Sequence, residues 1–261
     1  MEGIAAEVSP GAHRRWPDRL WIVRHGESAG NVARAEADAD ELELIQIAER
    51  DVDVPLSRLG YTQGTALGRW FASLPEGARP NVVFSSPYLR ARETVECIRR
   101  AGGIDGAEPP IVDERLREKE FGILDRLTRR GIIQRFPDQA AARARVGKFY
   151  HRPPGGESWT DVILRLRTFA DTISLHYNEP GCRVLVVAHQ VIVLCMRYLI
   201  EDMDEATILA IDAEGDVANC GVTEYALKNN GLTLTKYNFT APLEREGAPV
   251  TAEPDKANAS R

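Results

Sequence analysis

Two histidines follow directly after apolar runs of the sequence. Arg24 and His25 come after LWIV, and His189 comes after VLVVA. A neutral imidazole nitrogen can attack phosphorus and form a covalent intermediate. The planar guanidinium of arginine can hold two phosphoryl oxygens at once. Two histidines in this position, the first with an arginine beside it, predict a site that transfers a phosphoryl group.

Such a site also needs further positive charge and an acid. Arg90 lies one helical turn into SSPYLRARET, and Glu118 lies in LREKEFG. Arg90 would add a fixed donor for the phosphoryl oxygens. Glu118 would protonate the leaving oxygen as a carboxylic acid, and Glu120 fits that role almost as well by composition. Arginines can supply the necessary charge without a metal, so we predict neither a metal nor a cofactor.

The elements that must position these side chains alternate between strands and helices. Apolar runs bounded by turn residues predict strands, and apolar residues at helical spacing predict helices. Apolar and polar residues alternate on either side of Asn229-Asn230-Gly231, and this pattern predicts a hairpin over 220–239. The predicted strands are 19–24, 81–86, 111–116 (a strand or edge segment) and 183–188, and the predicted helices run from the N-cap Ser57 to about Leu74, from Pro87 onward, over 157–177 and over 191–200.

This order predicts an α/β fold. We expect a three-layer, doubly wound, mostly parallel sheet with helices on both faces and an antiparallel hairpin at an edge. Ligands of such sheets bind beyond the carboxyl ends of the strands. Arg24-His25-Gly26, Ser85-Ser86 and Ala188-His189-Gln190 all lie at the carboxyl ends of predicted strands. The three segments are therefore expected to share one site.

These segments resemble the histidine phosphatase superfamily, also called the phosphoglycerate mutase-like family. From about Leu20 to Leu199, the resemblance rests on IVRHGESAGN, VPLSRLGYTQGTALG, SSPYLRARET, LREKEFG and VVAHQ. The motifs occur in order and at sensible spacing, and together they are far more specific than any one alone. The resemblance implies an enzyme that acts on a small phosphorylated substrate.

The resemblance also implies a role for each matching residue. His25 would be the nucleophile and would form a phosphohistidine. Arg24, Arg90 and His189 would hold the phosphoryl oxygens. Glu118 would be the general acid and would later deprotonate the attacking water. This role requires a raised pKa at Glu118, from desolvation or from the bound dianion.

Five further residues are candidates for binding the phosphate or the substrate. Asn31 matches a family position that often contacts the phosphate, and Gly26 and Ser28 lie in the same motif. Gln190 directly follows the second histidine, and Lys148 stands eight residues before Gly-Glu-Ser. Both features resemble the fructose-2,6-bisphosphatase branch of the family. That branch carries an arginine four residues after the glutamine, where this chain has leucine.

The segment 123–150 is basic in a chain whose net charge is −6. It fits a lid-like insertion at about 123–156 whose inward charges choose the phosphorylated substrate, or a solvated helical face. Its spacing does not match the mutase insertion, so we favour a phosphomonoester hydrolase. A phosphoglycerate mutase-type phosphotransferase and a non-catalytic phosphate-binding or interaction module are the alternatives. The basic residues are Arg126, Arg129, Arg130, Arg135, Arg143, Arg145 and Lys148.

Composition sets the remaining expectations. The chain has 261 residues, 43% of them apolar, which suffices for one large core. We expect a single domain over 19–241 between flexible tails at 1–18 and 242–261. The net charge of −6 argues against a nucleic-acid partner, which would need a basic face. The four cysteines form no CxxC pair, and the apolar runs are too short to cross a bilayer. We expect a cytoplasmic protein without a membrane partner, and nothing indicates an oligomer.

Overall fold

One mixed sheet forms the centre of the computed structural model, which describes residues 16–106 and 108–252. Its strands are β1 (Arg19–Arg24), β2 (Val82–Ser85), β3 (Ile111–Val112), β4 (Arg183–Ala188), β5 (Val222–Lys228) and β6 (Gly231–Phe239). They lie in the order β3-β2-β4-β1-β5-β6. The first four strands are parallel, and β5 and β6 add an antiparallel hairpin at one edge. The predicted fold class is confirmed.

Helices connect the parallel strands and cover the sheet. The described residues contain α1 (Ala29–Ala39), α2 (Arg58–Ala72), α3 (Leu89–Arg100), α4 (Arg129–Arg135), α5 (Pro137–Tyr150), α6 (Trp159–His176), α7 (Gln190–Ile200), α8 (Glu205–Glu214) and α9 (Ala241–Arg245). None of these helices is long and apolar enough to cross a membrane. The basic segment 123–150 forms the helical pair α4 and α5 with a preceding 3-10 turn.

Strand β1 shows how the three layers form. Successive side chains of a strand point to opposite faces. Leu20 and Ile22 enter the core beneath α6 and α7, whereas Trp21 and Val23 enter the core beneath α2 and α3. All four side chains are fully or almost fully buried. A strand that is apolar on both faces therefore requires helices on both sides.

The register of the parallel strands brings their carboxyl ends together. Arg24 lies beside Ala188, and Ser85 lies beside Val187. The next residues continue this alignment, since the backbone N–H of His25 donates to the carbonyl of Ala188 at 2.9 Å. The residues that follow β1, β2 and β4 consequently meet at one edge of the sheet.

Two predicted elements have different limits in the structure. The helix expected from Pro87 begins at Leu89, because Tyr88 has an extended backbone with ψ of 136° and is the N-cap. Only Ile111 and Val112 of the segment 111–116 pair with β2. The chain then turns into a short 3-10 helix over 114–116. Helices α1, α8 and α9 have no counterpart among the predicted elements.

The ordered domain extends further at both ends than the sequence predicts. Trp16 is 7% exposed and packs in the core, although it lies in the predicted tail 1–18. In the predicted tail 242–261, Leu243 is fully buried beneath α2 and α3. The backbone of Asn219 donates to the carbonyl of Thr251 at 2.8 Å. Apolar burial thus holds 242–252 on the domain, while residues 1–15 and 253–261 lie outside the described residues.

Candidate active site

His25 follows β1 and is 3% exposed. Its Nδ1 lies 2.7 Å from the carbonyl oxygen of Gly26. A carbonyl can only accept, so Nδ1 carries the proton and the lone pair is on Nε2. Burial first, and then the charges of Arg90 and Arg24, hold the pKa of His25 well below its ordinary value. The residue therefore presents a neutral imidazole nitrogen, which is the form that a nucleophile requires.

Arg90 places a guanidinium group beside that nitrogen. It lies in the first turn of α3 and is 6% exposed. Its Nε donates to Nε2 of His25 at 3.2 Å. Its Nη1 donates to the backbone carbonyl and to the carboxylate of Asp51, at 2.6 and 2.9 Å. The structure therefore brings Arg90 and His25 together as predicted, and it adds an acidic neighbour that the sequence analysis did not select.

Arg24 adds a second guanidinium group from the end of β1. The residue is 2% exposed, and its Nη1 donates to the carbonyl of Val217 at 2.5 Å. Its charge lowers the pKa of both His25 and His189, in each case after burial and the charge of Arg90. Arg24 directly precedes His25, so its guanidinium group extends from the same strand end.

His189 faces His25 across the site. It follows β4, is fully buried, and its ring centroid lies 5.1 Å from that of His25. Nε2 is 2.8 Å from the hydroxyl of Ser86, which follows β2. Nδ1 is buried and has no hydrogen-bond partner among the residues that the structure describes. When the Ser86 hydroxyl donates to Nε2, the Nδ1–H group is available for an anion.

Glu118, rather than Glu120, lies next to the second histidine. Its Oε2 is 3.8 Å from Nδ1 of His189, and its Oε1 accepts from the backbone N–H of Lys119 at 2.8 Å. Burial raises the pKa of Glu118 to about 7. Part of the population is then protonated near neutral pH and can act as an acid. Glu120 is exposed and instead accepts from the Tyr88 hydroxyl at 3.2 Å.

The other residues of the first motif fix the backbone around His25. Ser28 and Asn31 form a capping box at the start of α1, with the Asn31 carboxamide oxygen 2.9 Å from the Ser28 backbone nitrogen. The backbone N–H of Gly26 donates to the Thr94 hydroxyl at 3.0 Å. A Cβ at position 26 would lie 2.7 Å from the carbonyl oxygen of Gly60, so the close approach of α2 requires glycine. Phosphate contact by these three residues stays a prediction.

Gln190 and Lys148 pair with carboxylates in the structure. The carboxamide of Gln190 donates to Asp216 at 2.5 Å, and the ammonium group of Lys148 donates to Asp212 at 2.5 Å. Their role in substrate binding also stays a prediction.

The arrangement matches the needs of a phosphoryl group. Two guanidinium groups and an unpartnered imidazole nitrogen provide donors for its oxygens. A neutral nitrogen with a lone pair, from His25, provides a nucleophile, and Glu118 provides a proton. Ser86 lies in the Ser85-Ser86 segment that was expected at this site, although the sequence assigned it no role. Asp51 gave no signal in the sequence, because it lies in an irregular loop.

Curated proteins with similar sequences include phosphotransfer enzymes. The chain is 30% identical over 194 residues to a 2,3-bisphosphoglycerate-dependent phosphoglycerate mutase of Rhizobium etli, covering 74% of this chain and 85% of the mutase. It is 28% identical over 239 residues to a 6-phosphofructo-2-kinase/fructose-2,6-bisphosphatase of Caenorhabditis elegans, covering 87% and 45%. It is 28% identical over 220 residues to "Bifunctional protein Rv2228c" of Mycobacterium tuberculosis, covering 84% and 54%. The chain thus spans about half the length of this last relative.

A family match and solved structures agree with these relatives. The sequence model of the histidine phosphatase superfamily (branch 1) matches residues 20–240 of this chain. The fold aligns with "Mycobacterial hydrolase 1" at a TM-score of 0.66 and 25% identity, covering 85% of this chain and 99% of the other. A mycobacterial glucosyl-3-phosphoglycerate phosphatase in complex with VO3 aligns at 0.64 and 26% identity, covering 85% and 98%.

Proposed function

Because this chain belongs to the histidine phosphatase superfamily, we propose that it hydrolyses a small phosphomonoester through a phosphohistidine at His25. The observation that supports this most is the state of His25. Its proton is held on Nδ1 by the Gly26 carbonyl, while Nε2 faces the Arg90 guanidinium. The nucleophilic nitrogen is therefore already oriented toward a group that binds phosphoryl oxygens.

In the first step, Nε2 of His25 attacks phosphorus, and the bond between phosphorus and the leaving oxygen breaks. Glu118 gives its proton to that oxygen, so the product leaves as an alcohol. In the second step, the Glu118 carboxylate takes a proton from water, the water oxygen attacks phosphorus, and the P–N bond breaks. Arg24, Arg90 and His189 hold the three remaining oxygens during both steps. Phosphate is released, and the imidazole of His25 returns to its original neutral form.

Hydrolysis is favoured over phosphotransfer to a second substrate by the sequence of the lid segment. The basic residues of 123–150 do not have the spacing of the mutase insertion. A mutase must also keep water away from its phosphohistidine, and the sequence offers no clear device for this. A non-catalytic binding module is disfavoured because a series of contacts joins Arg90, His25, His189 and Glu118, and Arg24 directly precedes His25.

The proposal is tested with p-nitrophenyl phosphate in a buffer without added metal. We expect steady release of nitrophenol and of an equal amount of inorganic phosphate. A parallel incubation with 3-phosphoglycerate and catalytic 2,3-bisphosphoglycerate separates the alternatives, since a mutase would form 2-phosphoglycerate with little free phosphate. Absence of turnover on these compounds and on a panel of phosphorylated metabolites would favour the binding module.

Replacing Arg90 by alanine should weaken competitive inhibition by phosphate or vanadate by about 10²-fold or more. The expected loss follows from removal of a buried charged donor from a bound dianion. The inhibition constant against p-nitrophenyl phosphate is the measurement. Arg92→Ala is the matched control, because Arg92 lies on the same helix and is exposed. Near-normal inhibition of Arg90→Ala would contradict the place of Arg90 in the phosphate site.

A further inference from the structure

A carboxylate lies inside the candidate phosphate site. Asp51 begins a short 3-10 turn over Asp51–Asp53, and its side chain is 43% exposed. Its backbone carbonyl and its carboxylate both accept from Nη1 of Arg90. This contact leaves the Nε of the same guanidinium directed at His25. An anionic side chain is an unexpected neighbour for a group that is to bind a dianion.

Asp51 lies at the rim of the site, because its partner Arg90 contacts both His25 and the ring of Tyr88. Burial is the main cause of the raised pKa of Glu118, and the charge of Asp51 raises it further. Burial, Glu120 and then Asp51 raise the pKa of Tyr88 in the same way. The ring of Tyr88 also lies 5.0 Å from that of His189, so Asp51, Tyr88 and the two histidines border the same site. Glu120, exposed and bonded to the Tyr88 hydroxyl, adds a second carboxylate to this rim.

Several arginines of the lid do not neutralise the charges of Asp51 and Glu120. Arg130 and Arg135 pair with Glu41 and Glu43 at 2.8 and 2.7 Å. Arg126 donates to two backbone carbonyls of the same loop, at 3.0 and 2.6 Å. These three arginines fasten the loop that carries Asp51. The expectation that lid charges select an anionic substrate therefore fails for them, because their partners are already in the protein.

We propose that Asp51 makes the site selective for phosphomonoesters whose leaving group carries no second anionic group. The inference rests on the proposed function, since it concerns the alcohol part of the same substrate. The phosphoryl group itself is held by Arg24, Arg90 and His189, which outweigh one carboxylate. A carboxylate or second phosphate on the leaving group would instead face Asp51 and Glu120 at close range in a partly desolvated site. Neutral, hydroxyl-bearing leaving groups avoid this repulsion.

Two ligands of nearly equal size test this selectivity. Glycerol 3-phosphate and 3-phosphoglycerate differ mainly in a hydroxymethyl group that is replaced by a carboxylate. Each ligand is tested as a competitive inhibitor of p-nitrophenyl phosphate hydrolysis in initial rates, which gives the ratio of the two apparent dissociation constants even when the ligand is itself cleaved. We expect the wild-type protein to bind glycerol 3-phosphate about tenfold more tightly. Asp51→Asn should reduce this preference to within about twofold, because it removes the charge while keeping the backbone contact with Arg90.

Asp53→Asn is the matched control. Asp53 lies in the same 3-10 turn, is 51% exposed and pairs with Arg50, so its removal should leave the ratio unchanged. A wild-type preference for 3-phosphoglycerate would overturn the selectivity, and so would an unchanged ratio in Asp51→Asn. In both cases the proposed function would stand, because phosphate esters still bind. Failure of both ligands to bind the wild-type protein would count against the phosphate site itself and against this inference with it.

Discussion

Replacement of His25 by alanine is expected to lower kcat for p-nitrophenyl phosphate by at least about 10⁴-fold. The change removes the only nitrogen that the proposed mechanism uses to form the P–N bond, and loss of a covalent nucleophile has effects of this size or larger. Water attack on a substrate still held by Arg24, Arg90 and His189 would account for the remaining rate. Stopped assays at high enzyme concentration can measure a loss of this size.

The same variant separates a covalent mechanism from direct attack by water. Rapid quenching of the wild-type protein in alkali, under which phosphohistidine survives, should yield a phosphorylated peptide that contains residue 25. His25→Ala should yield none. His176→Ala is the matched control, since His176 is exposed near the end of α6. Phosphorylation of a peptide that contains His189 would contradict the proposal, because the nucleophile would then follow β4 and not β1.

The choice between the two histidines rests on their hydrogen bonds. Both rings are buried and have a lowered pKa, so charge does not distinguish them. The partner of His25 Nδ1 is a carbonyl, which fixes the lone pair on Nε2. The partner of His189 Nε2 is the hydroxyl of Ser86, which can donate or accept; when it donates, the imidazole proton is on Nδ1. The geometry thus suits His25 to attack and His189 to donate.

The sequence was most informative where chemistry is attached to regular structure. His25 and His189 directly follow strands whose apolar runs are easy to recognise, and parallel strands bring their carboxyl ends to one edge. Arg90 follows the same logic from the first turn of α3. For these residues, predicting the fold also predicted which side chains lie close together. Glu118 depended more on the family resemblance, since it lies in a loop and Glu120 was a comparable candidate.

Asp51 shows what local sequence patterns cannot give. It lies in a loop without periodic apolar residues, and its position depends on contacts with the distant lid. Arg126, which holds that loop, adopts a left-handed backbone conformation with φ of 58°, unusual for a residue with a side chain. The tail boundary at 242 has a similar cause. A segment rich in proline and charge stays ordered because Leu243 enters a core built from distant helices.

Replacing Glu118 by glutamine should slow transfer from an alkyl phosphate to His25 by about 10³-fold, and transfer from p-nitrophenyl phosphate by about tenfold or less. An alkoxide needs a proton to leave, whereas nitrophenolate is stable without one. The rate of enzyme phosphorylation in the first turnover is the measurement, because Glu118 is also the proposed base for hydrolysis of the phosphohistidine. On this account, Glu118→Gln should accumulate phosphoenzyme when p-nitrophenyl phosphate is the substrate.

The pH dependence of the wild-type protein follows from the same residue. The acid must be protonated, so the rate of alkyl phosphate cleavage should fall as pH rises through about 7, the raised pKa of Glu118. Glu118→Gln should lose this dependence, while Glu120→Gln should keep it because Glu120 is exposed and bonded to Tyr88. Equal slowing of both substrates by Glu118→Gln would remove Glu118 from the acid role. A leaving-group effect in Glu120→Gln alone would move that role to Glu120, two residues further along the same loop.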